Sequence, residues 1–234
     1  MHDYATQFKK DYPDVFLGGW VSLDPRKGIK ALRELERCLE DLGMIGLAVE
    51  ASGLGIAPSD KVFYPFYELC VEVNAPVSIC VGYTGWGEGL PGGRGFYLED
   101  CHPRHVDKIA SKFPELTIIA GRPAWPWQNE MIAVLLHKPN VLYELHGWAP
   151  KYFPQELKCE IRHRLQDKVM LGADYPMFDY ERLFQIWESE GYEQEILDKV
   201  YRKNALRLFN ELGYKIEWES ISIPKRVGFS LNSR

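Results

Sequence analysis

Apolar residues along this chain follow two alternating rhythms, short unbroken runs and longer stretches spaced by three and four. The runs at 15–23, 44–50, 75–82, 116–121, 141–146 and 169–174 read as strands covered on both faces. Between the first two, residues 26–42 place Ile29, Leu32, Leu35, Leu39 and Leu42 on one helical stripe, closed by Gly43. Further helices are predicted over 63–73, 105–113, 129–136, 180–188 and 193–210. After Gly213, alternating Ile216, Trp218, Ile221 and Ile223 predict an edge strand or docking arm. Six apolar strands separated by helices predict an α/β fold with parallel strands and right-handed crossovers. A barrel and a doubly wound sheet both satisfy this pattern.

Composition narrows the setting. The 234 residues are 46% hydrophobic and 13% aromatic, enough for one large core. A net charge of -5 with interspersed signs points to no nucleic acid and no acidic membrane as partner. Five widely spaced cysteines form neither a disulfide framework nor a zinc-knuckle spacing, which fits a reducing cytoplasm. The first ten residues carry no apolar signal core, and no run approaches membrane-spanning length.

The richest stretch chemically is Val169-Met-Leu-Gly-Ala-Asp-Tyr-Pro176. It places Asp174 at the carboxyl end of a buried strand, where α/β folds carry their chemistry. Asp174 equally suits the cap of the following turn. A loop over 82–95 holds seven glycines but lacks the Gly-Lys-Ser/Thr ending of a phosphate loop and the dinucleotide spacing, so it reads as a lid.

Several segments together resemble the amidohydrolase-related family that contains aminocarboxymuconate-semialdehyde decarboxylase and resorcylate decarboxylase. Pro13-Asp-Val-Phe-Leu-Gly-Gly-Trp-Val-Ser-Leu-Asp-Pro25 is similar to that family's "kyPdRFvGla.vdP". Residues 35–46 are similar to its "lera..elGf.G", residues 113–120 to "fPeLkiilaH", residues 169–176 to "ilfGSDyP", and residues 204–209 to "NA.rLf". The resemblance implies a TIM-type (β/α) barrel over 1–213 with about six of its eight strands, followed by an arm over 214–234. It also implies a divalent metal, zinc or manganese, at the carboxyl-terminal mouth. Three departures stand out. The family's opening strands with their His-x-His or Glu-x-His pair have no counterpart after Met1. Cys80 replaces one family histidine and Arg122 another, while Asp174 stands in its expected place.

Taken strand by strand, the mouth residues are Glu50, Cys80, Arg122, His146 and Asp174. Asp174, Cys80 and His146 are competent metal ligands, thiolate and imidazole favouring zinc, although Cys80 also suits a buried thiol and His146 a hydrogen-bonded strand end. Arg122 is a permanent cation that repels a metal. It suits pairing with Asp174 or gripping a substrate carboxylate or phosphate. Trp86, Trp125, Trp127 and Trp148 follow strands and suit either the walls of an aromatic pocket or a subunit interface. His105 reads as a helix-start residue, and His2, His137 and His163 as surface residues.

Two functions follow. The first is a metal-dependent hydrolase or decarboxylase of a small carboxylated substrate, aromatic ones included, with Asp174, His146 and Arg122 catalytic and Glu50, Arg122, Trp86, Trp125 and Trp148 contacting substrate. The second is a metal-free homologue, either an acid/base lyase or a binding and scaffolding subunit. In both, open strand edges predict a homo-oligomer or a complementing subunit.

Overall fold

The computed structural model describes residues 2–13 and 15–216. Most of the predicted 214–234 arm, including Trp218, Ile221 and Ile223, lies outside them. Six parallel strands form one sheet in sequential order: β1 (Trp20–Ser22), β2 (Gly46–Val49), β3 (Val77–Cys80), β4 (Ile118–Gly121), β5 (Val141–Leu145) and β6 (Val169–Leu171). Every neighbouring pair is parallel, so each connection is a crossover. Helices α1 (His2–Asp11), α2 (Ile29–Glu40), α3 (Ala51–Leu54), α4 (Tyr64–Glu72), α5 (Arg104–Lys112), α6 (Gln128–His137), α7 (Gln155–Arg162), α8 (Tyr180–Ser189), α9 (Gln194–Asp198) and α10 (Asn204–Glu211) complete the elements.

The strands are shorter than the apolar runs suggest, most of all β1, which occupies three residues of the run at 15–23. Gly18 and Gly19 precede it where the chain passes within van der Waals reach of Ile45 and Met44. The helix expected from residue 26 begins with a 3-10 turn (Pro25–Lys27) capped by Asp24, and Gly28 then opens α2. That start leaves Ile29 exposed, and Ala31, Leu35 and Cys38 carry the buried stripe instead. The single helix expected over 193–210 is two helices joined by a π-helical turn (Lys199–Lys203). Helices α1, α3 and α7 do not follow from the apolar pattern.

Strand register sorts the side chains onto two faces. Val21, Leu47, Val49, Val77, Ile79, Ile118, Ala120, Val141, Tyr143, Leu145 and Val169 lie in the large core with the surrounding helices. The opposite, inner face carries Ser22, Ala48, Ser78, Ile119 and Leu142 in one lateral row. The next row, nearer the carboxyl ends, carries Cys80, Gly121, Glu144 and Met170. The lower part of this face is apolar and covered. Leu208 of α10 is buried with Ile119, Leu142 and Met170, and Trp20, Ala205 and Leu212 pack against them. Asn204 pins the start of α10 by donating to Gln166 O (2.8 Å) and Val169 O (2.7 Å), beneath β6. The upper row, by contrast, sets Cys80 and Glu144 beside Gly121, and its Met170 belongs to the apolar cluster below. No described helix is long and apolar enough to cross a membrane.

Candidate active site at the carboxyl ends of the strands

The polar cluster exists because two glycines leave room for it. Glu144 and His146 are two residues apart on β5 and its end, so both point to the inner face. A Cβ on Gly172, just past β6, would fall 1.2 Å from Glu144 Oε1 and 2.8 Å from His146 Cβ. On Gly121, at the end of β4, it would fall 2.8 Å from His146 Cε1. Side chains at either position would therefore expel the acid and the imidazole from the notch.

Within the notch, His146 Nδ1 makes a short hydrogen bond to Glu144 Oε2. Its other ring nitrogen, Nε2, accepts from Arg122 Nε at 3.2 Å. A guanidinium only donates, so this network assigns Nε2 as the bare nitrogen and Nδ1 as the N–H directed at Glu144. Arg122 Nη1 also donates to Tyr83 O at 3.4 Å. Burial of the ring is the largest single influence on His146 and favours its neutral form. The hydrogen bond and negative charge of Glu144, helped by Asp174, outweigh burial and Arg122, and the pKa is raised above the ordinary histidine value. Two states thus compete at this ring: a neutral one capped by Arg122, and an imidazolium that must release it.

Asp174 lies three residues beyond β6 rather than on it, at an exposed turn with φ 52°. Arg122 is also left-handed, at φ 74°. Such conformations are rarely held by residues other than glycine, and they cluster where function demands them. Gly147, at φ 78°, separates the two side chains. Its missing Cβ would lie 3.6 Å from Asp174 Oδ2 and 3.7 Å from Arg122 Nε. Arg122 makes no ion pair with a carboxylate among the described residues, Asp174 included.

Cys80 and Glu50 form a second pair on the neighbouring strand ends, the thiol donating to Glu50 Oε1 at 3.3 Å. Burial, reinforced by the charge of Glu50, pushes the Cys80 thiol well above its usual range. Trp125 and Trp148 stand together, with ring centroids 6.1 Å apart, and Tyr83 packs edge-on to Trp125 at 5.8 Å. Trp86 instead packs on Phe96 in the glycine-rich loop, and Trp127 on His102. His105 starts α5 as expected, but buried, with Nδ1 on Ser59 Oγ (2.8 Å) and Nε2 on Glu99 O (3.1 Å).

His146 has both nitrogens engaged, and Cys80 is held as a thiol by burial and Glu50. Among the described residues, the group of three ligand side chains that converge within reach of one ion is His2, Glu34 and Cys38, at the contact of α1 with α2. There Arg37 occupies both oxygens of Glu34. The described residues of the mouth do not by themselves fit a divalent cation. Glu144 was not singled out by its sequence context. The available signal was its two-residue spacing from His146 on a strand that is otherwise apolar.

The profile of the amidohydrolase family matches residues 1–210, and the chain belongs to that family, a family of enzymes. Among curated proteins, none matches the chain by sequence. Among solved structures it is similar to an uncharacterized TIM-barrel protein of Bordetella bronchiseptica, with a TM-score of 0.75 and 22% identity, over 91% of this chain and 73% of that one. It is similar to the 2,6-dihydroxybenzoate decarboxylase of Rhizobium, with a TM-score of 0.68 and 18% identity, over 90% and 76% of the two chains. It is also similar to a dihydroxybenzoic acid decarboxylase of Polaromonas solved with manganese and the inhibitor 2-nitroresorcinol. There the TM-score is 0.65 and the identity 19%, over 89% and 73%. The six-stranded parallel sheet is accordingly an incomplete TIM-type barrel.

Proposed function

We propose that this chain is a decarboxylase of small aromatic carboxylates, with His146 as its proton-transferring group. The observation that supports this reading is the Glu144–His146–Arg122 chain, which stands beside the aromatic wall of Tyr83, Trp125 and Trp148. Decarboxylation of an aromatic acid needs a proton at the ring carbon that carries the carboxylate. In this reading Arg122 moves off His146 Nε2, that nitrogen takes a proton from solvent, and the imidazolium so formed delivers it to the ring carbon. The carbon–carbon bond then breaks, its electron pair returns to the ring, carbon dioxide leaves, and the neutral imidazole recovers a proton from solvent. Glu144 orients the ring and stabilises its charged form, and Asp174 adds negative charge from the rim.

The decarboxylases of similar fold lend this reading its substrate class, and three of their structures hold manganese. A divalent metal in this chain would need ligands beyond the described residues of the mouth. Arg122, Trp125 and Trp148 are assigned to substrate binding, the two indoles on one wall, and Glu50 acts through Cys80. The open edges of β1 and β6 favour assembly with a second subunit. The test is turnover of a panel of hydroxybenzoates, followed by release of carbon dioxide. His146→Gln should lower kcat by about 10²–10⁴-fold with little change in folding. No carbon dioxide from any member of the panel, with or without added manganese, would reject the proposal.

A further inference from the structure

Arg122 is a half-buried cation with no carboxylate within ion-pair distance among the described residues. That is unusual, because a guanidinium withdrawn from water is ordinarily paired. Its contacts are two neutral acceptors, His146 Nε2 at 3.2 Å and Tyr83 O at 3.4 Å. Two carboxylates stand nearby, but neither satisfies it. Glu144 is turned to the far nitrogen of His146, and Asp174 borders the same space at Gly147 without forming an ion pair with Arg122. The backbone holds Arg122 in the left-handed region, a conformation that a residue without a task there would exchange for glycine. The guanidinium thus keeps donor capacity unused beside the aromatic wall, while Glu144 is engaged with His146 and Glu50 with Cys80.

From these observations we infer that Arg122 is the site's resident cation and binds a planar oxyanion borne on an aromatic ring without help from a metal ion. A carboxylate or a phenolate on the ring can occupy the two-donor face of the guanidinium. Binding draws the guanidinium from a weak neutral acceptor to a strong charged one and uncovers His146 Nε2. This inference rests on the proposed function for its choice of aromatic ligand, but it concerns binding, not turnover.

The experiment is titration of the full chain with salicylate, followed by tryptophan fluorescence and calorimetry, before and after exhaustive chelation. Salicylate should bind equally well with and without chelator. Salicylamide, which lacks the carboxylate charge, should bind tenfold or more weakly, and Arg122→Gln should lose salicylate affinity by about tenfold or more, with Arg122→Lys in between. Affinity abolished by chelation and restored by manganese would overturn the inference, as would equal binding of salicylamide by the wild-type chain. The latter comparison needs no variant to fold. Salicylate binding without any turnover would remove the proposed function and leave this inference standing. Turnover accompanied by salicylate binding that strictly requires manganese would do the reverse.

Discussion

The two ends of the sheet are built from the same strands but solve opposite problems. At the amino-terminal end, polar groups are saturated. Lys168 Nζ donates to Leu135 O, Lys138 O and Val141 O at 2.6–3.0 Å, and Asn140 Nδ2 to Phe113 O and Leu116 O. Asn204 closes two more carbonyls, and Leu208 seals the apolar inner face above them. At the carboxyl-terminal end, Arg122, Ala124 and Asp174 are all left-handed, and Arg122 has no ionic partner among the described residues. Exposed rings crowd the rim, Trp125, Tyr175 and Tyr180 among them. Stability is concentrated below and chemistry above, a division that parallel α/β sheets impose because their loops, dipoles and strand ends converge on one face.

That contrast can be broken at either end. The largest effect is expected below. Leu208→Ala opens a cavity against Ile119, Leu142 and Met170 and should cost about 2–5 kcal/mol in denaturant unfolding, with salicylate affinity of the folded protein unchanged. Affinity falling in step with stability would show that the two ends are coupled. Above, Gly172→Ala drives a methyl group into Glu144 and should cost about 1–3 kcal/mol while abolishing turnover. A variant of full activity would mean that the Glu144–His146 pair is dispensable.

The smallest effect is a dependence on pH. The pKa of His146 is raised in the folded chain, so its contribution to stability is complete below the unfolded value of about 6.5 and is lost as pH rises through the higher folded value. The Tm advantage of wild type over His146→Gln should therefore shrink from mildly acidic to alkaline pH. An advantage that grows with pH would reverse the assigned sign.

Much of this division was written along the chain. The alternation of apolar runs and helical stripes determined the α/β class and the six parallel strands, because burial on both faces of a parallel strand leaves a local signature, while their sequential order in the sheet was left open by the pattern. The strand ends pointed to Glu50, Cys80, Arg122, His146 and Asp174 at one face. Helix α1 left no such signature, since none of its residues is buried and ion pairs to α2, such as Arg37 with Asp3, hold it in place. Helix α7 buries only Leu157 and Ile161 within a charged segment, too short a period to stand out.

Tertiary structure alone decided who partners whom at the mouth. Glu144 meets His146, and His146 meets Arg122 rather than Asp174, because Gly121 and Gly172 lie on the two strands flanking β5 and leave that space empty. Only once the strands pair do those two glycines become neighbours of Glu144. A contact that depends on what is missing from two other strands has no local pattern to reveal it.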